Sequence, residues 1–227
     1  MRFTAFFLLL FLAALTPARL WSQHQDVQLW SGIGIRTDLT PKLRISLEEE
    51  ARYFDYLSRL DKLNTDLSLD YQLTKSIAFG TLYRLIANRD ADGYFDMKHR
   101  FDVSVEFQKK VSAWTFGAQA TAQKTYPEFN HSRDWYVSDD YLRAEGEIAH
   151  ELKNKKTEPY VNLELWYLMP QGQPSFIDQY RLTFGIKHKV NKINRWKFYY
   201  RIQQEIQVAD PLFAHIIGIG YTYVWKR

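Results

Sequence analysis

The chain has 227 residues, a formal net charge of +4 and no cysteine. That length suits one domain, and the missing thiols exclude disulfides, thiolate metal sites, cysteine nucleophiles and lipidation on an N-terminal cysteine. Lysine and arginine are interleaved with aspartate and glutamate instead of forming a basic stripe, which speaks against nucleic acid as a partner.

Met1 and Arg2 give a positive start, and residues 3–15 (FTAFFLLLFLAAL) form an apolar core of the length found in secretory signals. The reading is a signal peptide over 1–22, cleaved after Ala18 or near Ser22, and a mature barrel over 23–227. Beyond residue 15 no run reaches the roughly 18 apolar residues that a spanning helix needs. From about Val27 to Trp225 the chain alternates with period two, the mark of β-strands.

Residues 26–37 place Val27, Leu29, Ile33 and Ile35 on one face, with Gln28, Trp30, Gly32, Gly34 and Arg36 on the other. A turn at 38–42 carries Pro41, which has no N–H to give to a ladder. Residues 42–54 send Leu43, Ile45 and Leu47 out and Arg44, Ser46, Glu48, Glu50 and Arg52 in. Glu49 then falls on the apolar side, which predicts a β-bulge there or a position near lipid headgroups. Residues 63–73 alternate most regularly, with Asp66 and Asp70 inward; residues 77–88 carry Arg84 inward. Residues 99–110 turn Arg100, Asp102 and Glu106 inward, and residues 114–125 show a small outward set of Ala118, Ala120 and Ala122. A long connection, 126–140, precedes the strand at 141–152 with Arg143, Glu145 and Glu147 on one face. In residues 158–168 Val161, Leu163, Leu165 and Tyr167 oppose Tyr160, Asn162, Glu164 and Trp166. Residues 178–189 carry Arg181 inward, 196–207 carry Arg201 and Glu205, and 215–227 end the chain on an aromatic face of Tyr221, Tyr223 and Trp225.

Two features favour a membrane barrel over a soluble lipocalin-like cup. The connections alternate short and long, as in outer-membrane barrels, and Trp114 and Trp196 open strands directly after short turns, where an interfacial girdle lies. Inward-polar and outward-apolar strands also invert the soluble arrangement. The fold class is therefore all-β, an antiparallel transmembrane barrel of ten to twelve strands with a polar, charge-paired lumen. Eleven segments alternate, whereas single-chain bacterial barrels have even numbers. Either residues 26–37 are not a full wall strand, or one strand is missed or merged.

The chain is similar to the outer-membrane β-barrels of Bacteroidota catalogued as domain of unknown function 2490. The resemblance rests on the opening DVQLWSGIGIRTDLTPKLRISLEEEARYF, on YLRAEGEIAHEL and PYVNLELWY, and on DQYRLTFGIKHKVNK with WKFYYR after it. It implies an exported barrel with no assigned activity and no catalytic residues. Where relatives place an arginine late in the strand at 114–125, this chain has Gln123 and Lys124.

The candidate functional constellation is the set of inward charges: Arg44, Glu48, Arg52, Asp66, Asp70, Arg84, Arg100, Glu106, Arg143, Glu145, Glu164, Arg181, Arg201 and Glu205. Read structurally they are arginine–carboxylate pairs filling a narrow lumen; read functionally they line a pore or a ligand pocket. The packed network is the preferred reading, because open channels go with larger strand numbers, roughly sixteen or more. An outer-membrane lipid-modifying enzyme would need a serine activated by a histidine, and only His131 and Ser132 are adjacent, in a loop. Trp135 and Tyr136 in that loop could recognise a partner, but aromatics that anchor their own loop are the simpler reading. The expectation is a non-enzymatic barrel without cofactor or metal, partnered by outer-membrane lipid and the barrel-insertion machinery, and serving as a structure or for binding or passage of a small solute or lipid.

Overall fold

The computed structural model describes residues 24–90, 92–127, 140–170, 174–208 and 210–226. The segment read as a signal peptide and the loop bearing His131, Ser132, Trp135 and Tyr136 lie outside the described residues.

Eleven strands make up the wall: β1 (His24–Asp38), β2 (Leu43–Phe54), β3 (Arg59–Gln72), β4 (Ile77–Arg89), β5 (Phe95–Val111), β6 (Trp114–Pro127), β7 (Asp140–His150), β8 (Thr157–Leu168), β9 (Phe176–Lys189), β10 (Asn194–Glu205) and β11 (Leu212–Trp225). Each pairs antiparallel with the next, and β1 pairs with β11, so the sheet closes on itself. That closure is parallel, in register from His24–Leu212 to Thr37–Trp225. The all-antiparallel expectation is corrected here. In a chain of hairpins every strand reverses the one before, so with eleven strands the first and last run the same way and can meet only in parallel. Residues 26–37 are a full wall strand, paired on both sides, which resolves the odd count.

The alternation fixes which face turns inward. In β8 Tyr160, Asn162, Glu164 and Trp166 are buried inside the barrel, while Leu163, Leu165 and Tyr167 are exposed outside. Around the outside run Ile33, Leu47, Leu67, Val103, Phe116, Phe198 and Ile217, all exposed. Aromatic residues gather at both rims of this band. Trp114 packs edge-on to His150 and Trp196 on Tyr221 at one end; Tyr83 meets His99 and Tyr200 meets His215 at the other.

At the short-turn end, side chains close the turns. Thr40 Oγ1 accepts from the N–H groups of Lys42 and Leu43, and Thr74 Oγ1 from those of Ser76 and Ile77. Asn154 and Asn191 carbonyl oxygens do the same for the turns before β8 and β10. Short polar side chains that mimic a backbone acceptor are why these sequences turn. At the opposite end the β2–β3 turn runs through three consecutive left-handed residues, Asp55, Tyr56 and Leu57. Each costs about 1–2 kcal/mol against an ordinary conformation. Asp26 Oδ1 accepts from the Tyr56 N–H at 3.1 Å and the Val27 carbonyl from Leu57 N–H at 3.2 Å, which hold the turn over the start of β1.

Glu49 does not sit at a bulge: the β2–β3 register is continuous past it and shifts between Arg52 and Tyr53. Glu49 faces outward and accepts a 2.7 Å hydrogen bond from Thr65 Oγ1 on β3, so a neighbouring hydroxyl satisfies the misplaced carboxylate instead.

Candidate functional site

The lumen is built from the inward positions of every strand. Arg84 on β4 grips Asp66 on β3 with two hydrogen bonds of 2.5 Å, from Nε and an Nη. A longer chain starts on β5, where Arg100 holds Asp102 through both of its carboxylate oxygens. Asp102 also accepts from Arg143 on β7 at 2.5 Å, reaching across β6. Arg143 continues to Glu164 on β8 at 3.1 Å, Glu164 to Arg181 on β9 at 3.4 Å, and Arg181 Nε donates to Gln203 on β10 at 3.0 Å. On the other side Arg52 donates to Glu50 at 2.8 Å, and Asn64 donates to the same oxygen. The side chains in these pairs are only 6–16% exposed, so the charges depend on one another and not on bulk water.

Two indoles sit within this network. The Arg52 guanidinium lies 3.6 Å from the centroid of Trp30, with those of Arg201 and Arg181 at 5.3 and 5.6 Å. Arg181 also lies 4.3 Å over Trp166 and Arg143 4.9 Å from it. One arginine from β9 thus bridges indoles on β1 and β8, and the bridge crosses the lumen. Desolvated contacts of this kind contribute about 2 kcal/mol each. Trp30 is held from below by its Nε1, which donates to Gln28, which in turn donates to Asp26, the residue that fixes the β2–β3 turn. Ala214 and Ile216 of β11 pack against Trp30 as the barrel's buried apolar cluster.

A cavity of about 280 Å³ remains within the network, lined by Glu48, Glu145, Arg201 and Lys197 beside the paired residues. Asn162 donates to Glu145 at 2.5 Å and Arg201 to Thr183 at 2.9 Å. Lys197 lies 5.4 Å from the rings of both Tyr160 and Tyr199. Those two rings are seated on glycines of the next strand, Gly185 and Gly218, where a Cβ would overlap them.

The sequence-derived charges divide by depth. Asp66, Arg84, Arg100, Arg143, Glu164, Arg181 and Arg52 come together in the network. Arg44 does not: it is 44% exposed at the short-turn mouth and pairs with Asp38 at 2.9 Å. Asp70 lies beside Gly80, and Glu106 shares the short-turn half of the lumen with Asp70, Glu145 and Glu147. Glu205 stands at the long-loop rim, where it accepts from the Leu212 N–H at 3.0 Å. Among the described residues no group of three or more His, Cys, Asp or Glu is placed to hold a metal.

The model of one protein family, described as Protein of unknown function (DUF2490), matches residues 27–211. The chain belongs to that family. The match runs from β1 to the residue before β11, so the strand that closes this DUF2490 barrel lies beyond it. A search of curated proteins finds no match. The DUF2490 lumen also holds Lys197 and Arg195, both on inward positions of β10 and absent from the sequence-derived set. Their parity with Arg201 is the signal that marks them. The arginine cage around Trp30 has no one-strand signature, because its members come from β1, β2, β9 and β10.

Proposed function

We propose that this barrel resides in a bacterial outer membrane, as its resemblance to the Bacteroidota barrels implies, and acts there without catalysis. Its lumen is a scaffold and not a through-pore, and its openings serve binding of a small solute or lipid. The observation that carries the reading is the closed wall with an apolar outer face and a charged interior, which inverts the soluble arrangement. Aromatic residues at both rims support an interfacial position. The terminal face of Ile217, Ile219, Tyr223 and Trp225, all exposed, suits delivery by the barrel-insertion machinery. The arginine bridge between Trp30 and Trp166 supports occlusion over conduction. Three of the described histidines also favour a structural role over a catalytic one. His99, His188 and His215 each engage a hydroxyl, of Tyr83, Thr157 and Tyr200, on the outer face.

Cell fractionation with gel mobility before and after boiling tests the placement. A fast-migrating form in the outer-membrane fraction that slows on boiling is expected; a soluble periplasmic protein without that shift would overturn it. In planar bilayers the purified barrel should give no steady single-channel current, and a stable conductance would replace the scaffold with a pore.

A further inference from the structure

The short-turn mouth gathers positive charge that the lumen network does not use. A cleft of about 770 Å³ opens there between the β7–β8 turn, the β9–β10 turn and the paired ends of β1 and β11. Lys156, Lys189, Lys192, Arg195 and Lys226 line it, with Asp38 as its acid. Asp38 is already committed to Arg44. Arg36, inward on β1, is within electrostatic reach of both Arg195 and Arg44, and Asp38 and Asp70 are the acids that face it. Arg195 faces Arg44 in the same way. Neither Arg36 nor Arg195 has an ion pair among the described residues, and the Arg195 Nε is buried without a hydrogen-bond acceptor.

Like charges brought together repel, and a buried donor left without an acceptor is costly. The cleft holds the orphaned Arg195 donor, within electrostatic reach of the like charge on Arg36 and Arg44, and an anion seated there answers both. One arginine fork with four lysines around it matches tetrahedral oxyanions better than it matches a neutral solute. Val190, Val224 and Trp225 add an apolar wall to the same cleft, which has room for a nonpolar portion beside an anionic group. We propose that the short-turn mouth is a binding site for a phosphate group, with Arg195 as its principal ligand and Lys156, Lys189, Lys192 and Lys226 around it. The group belongs either to a soluble phosphorylated solute or to a phospholipid headgroup of the adjacent leaflet.

Calorimetric titration of the full mature barrel in neutral detergent with inorganic pyrophosphate tests the soluble source. Native mass spectrometry in the same detergent, with phosphatidylglycerol against phosphatidylcholine of the same chains, tests the lipid source. Arg195→Gln should weaken saturable binding roughly tenfold, and Arg195→Lys should restore part of it. Lys75→Gln, on the β3–β4 turn of the same end but outside the cleft, should leave binding unchanged. Pyrophosphate binding with this pattern supports a soluble ligand. Selective retention of phosphatidylglycerol with the same pattern supports a headgroup. Absence of both, or equal loss in Lys75→Gln, overturns the site. Boiling-dependent gel mobility of each variant separates a lost site from a lost fold. Because the titration is done in detergent, its failure leaves the membrane reading standing.

Discussion

At the scale of single residues, the contrast between paired interior charges and paired rim charges yields the sharpest test. Asp66 and Arg84 are 12% and 14% exposed, and Arg84 spends two hydrogen bonds on that one carboxylate. Asp66→Ala would leave a guanidinium inside the lumen without its partner, a change that costs about 3–5 kcal/mol. Arg44→Gln removes an ion pair whose members are 44% and 60% exposed, and should move stability by no more than about 1 kcal/mol. Urea titrations that track loss of the fast-migrating form would measure both, and equal effects would mean the lumen is wetter than its packing indicates. The glycines supply a second test. A methyl on Gly218 meets the Tyr199 ring, whereas one on Gly146 meets nothing within 4 Å. Gly218→Ala should therefore destabilise by about 1–3 kcal/mol through overpacking, Gly146→Ala should be nearly silent, and adding Tyr199→Ala should recover part of the Gly218→Ala loss.

At the scale of elements, the parallel seam between β1 and β11 is the part of the fold that most needs direct proof. Ser31 and Ile219 are register partners across it and both face outward. The chain has no cysteine, so a pair introduced there has no competitor. Ser31→Cys with Ile219→Cys should form a disulfide readily on mild oxidation, since paired residues across a sheet lie within bridging distance. Ser31→Cys with Tyr223→Cys, four residues along β11, should not. Cross-linking in the second pair alone would mean a slipped register; none in either would mean an open wall. The seam is also where the sequence stops being legible. Period-two alternation locates all eleven strands to within a few residues, because each strand carries its own inside and outside. Closure carries no such local mark: that residues 24–38 meet 212–225 depends on the count of reversals, not on any pattern within either segment. The bulge, one of the two readings of Glu49, is absent for a related reason. Glu49 breaks the apolar face locally, but Thr65 on the next strand accommodates it, and only the pairing shows where the extra residue lies.

At the scale of the whole molecule, the two ends differ in charge. The short-turn end carries Lys42, Lys75, Lys109, Lys110, Lys153, Lys155, Lys156, Lys192 and Lys226 against Asp38, Glu151 and Glu158 among the described residues. The long-loop end carries Asp55, Asp61, Asp90, Asp92, Asp96, Asp140, Asp178, Glu205 and Asp210 against Arg59, Lys62, Arg89, Lys98 and Lys124. A polarised barrel has a preferred orientation, since basic rims are drawn to anionic lipid phosphates, and the loop-length rule independently puts short turns on the periplasmic side. On the outer-membrane reading proposed above, the loop-length rule puts the cleft with Arg195 inward and the β4–β5 loop outside, with the chain entering the wall at the outer end and leaving it at the inner one. Tyr94 on that loop is 75% exposed, and Lys75 tips the opposite β3–β4 turn. In a chain without native thiols, a membrane-impermeant maleimide should label Tyr94→Cys on intact cells and Lys75→Cys only after the outer membrane is permeabilised. The reverse pattern would turn the barrel over and expose the phosphate site to the medium. Labelling of both on intact cells would mean that the wall does not span a membrane at all.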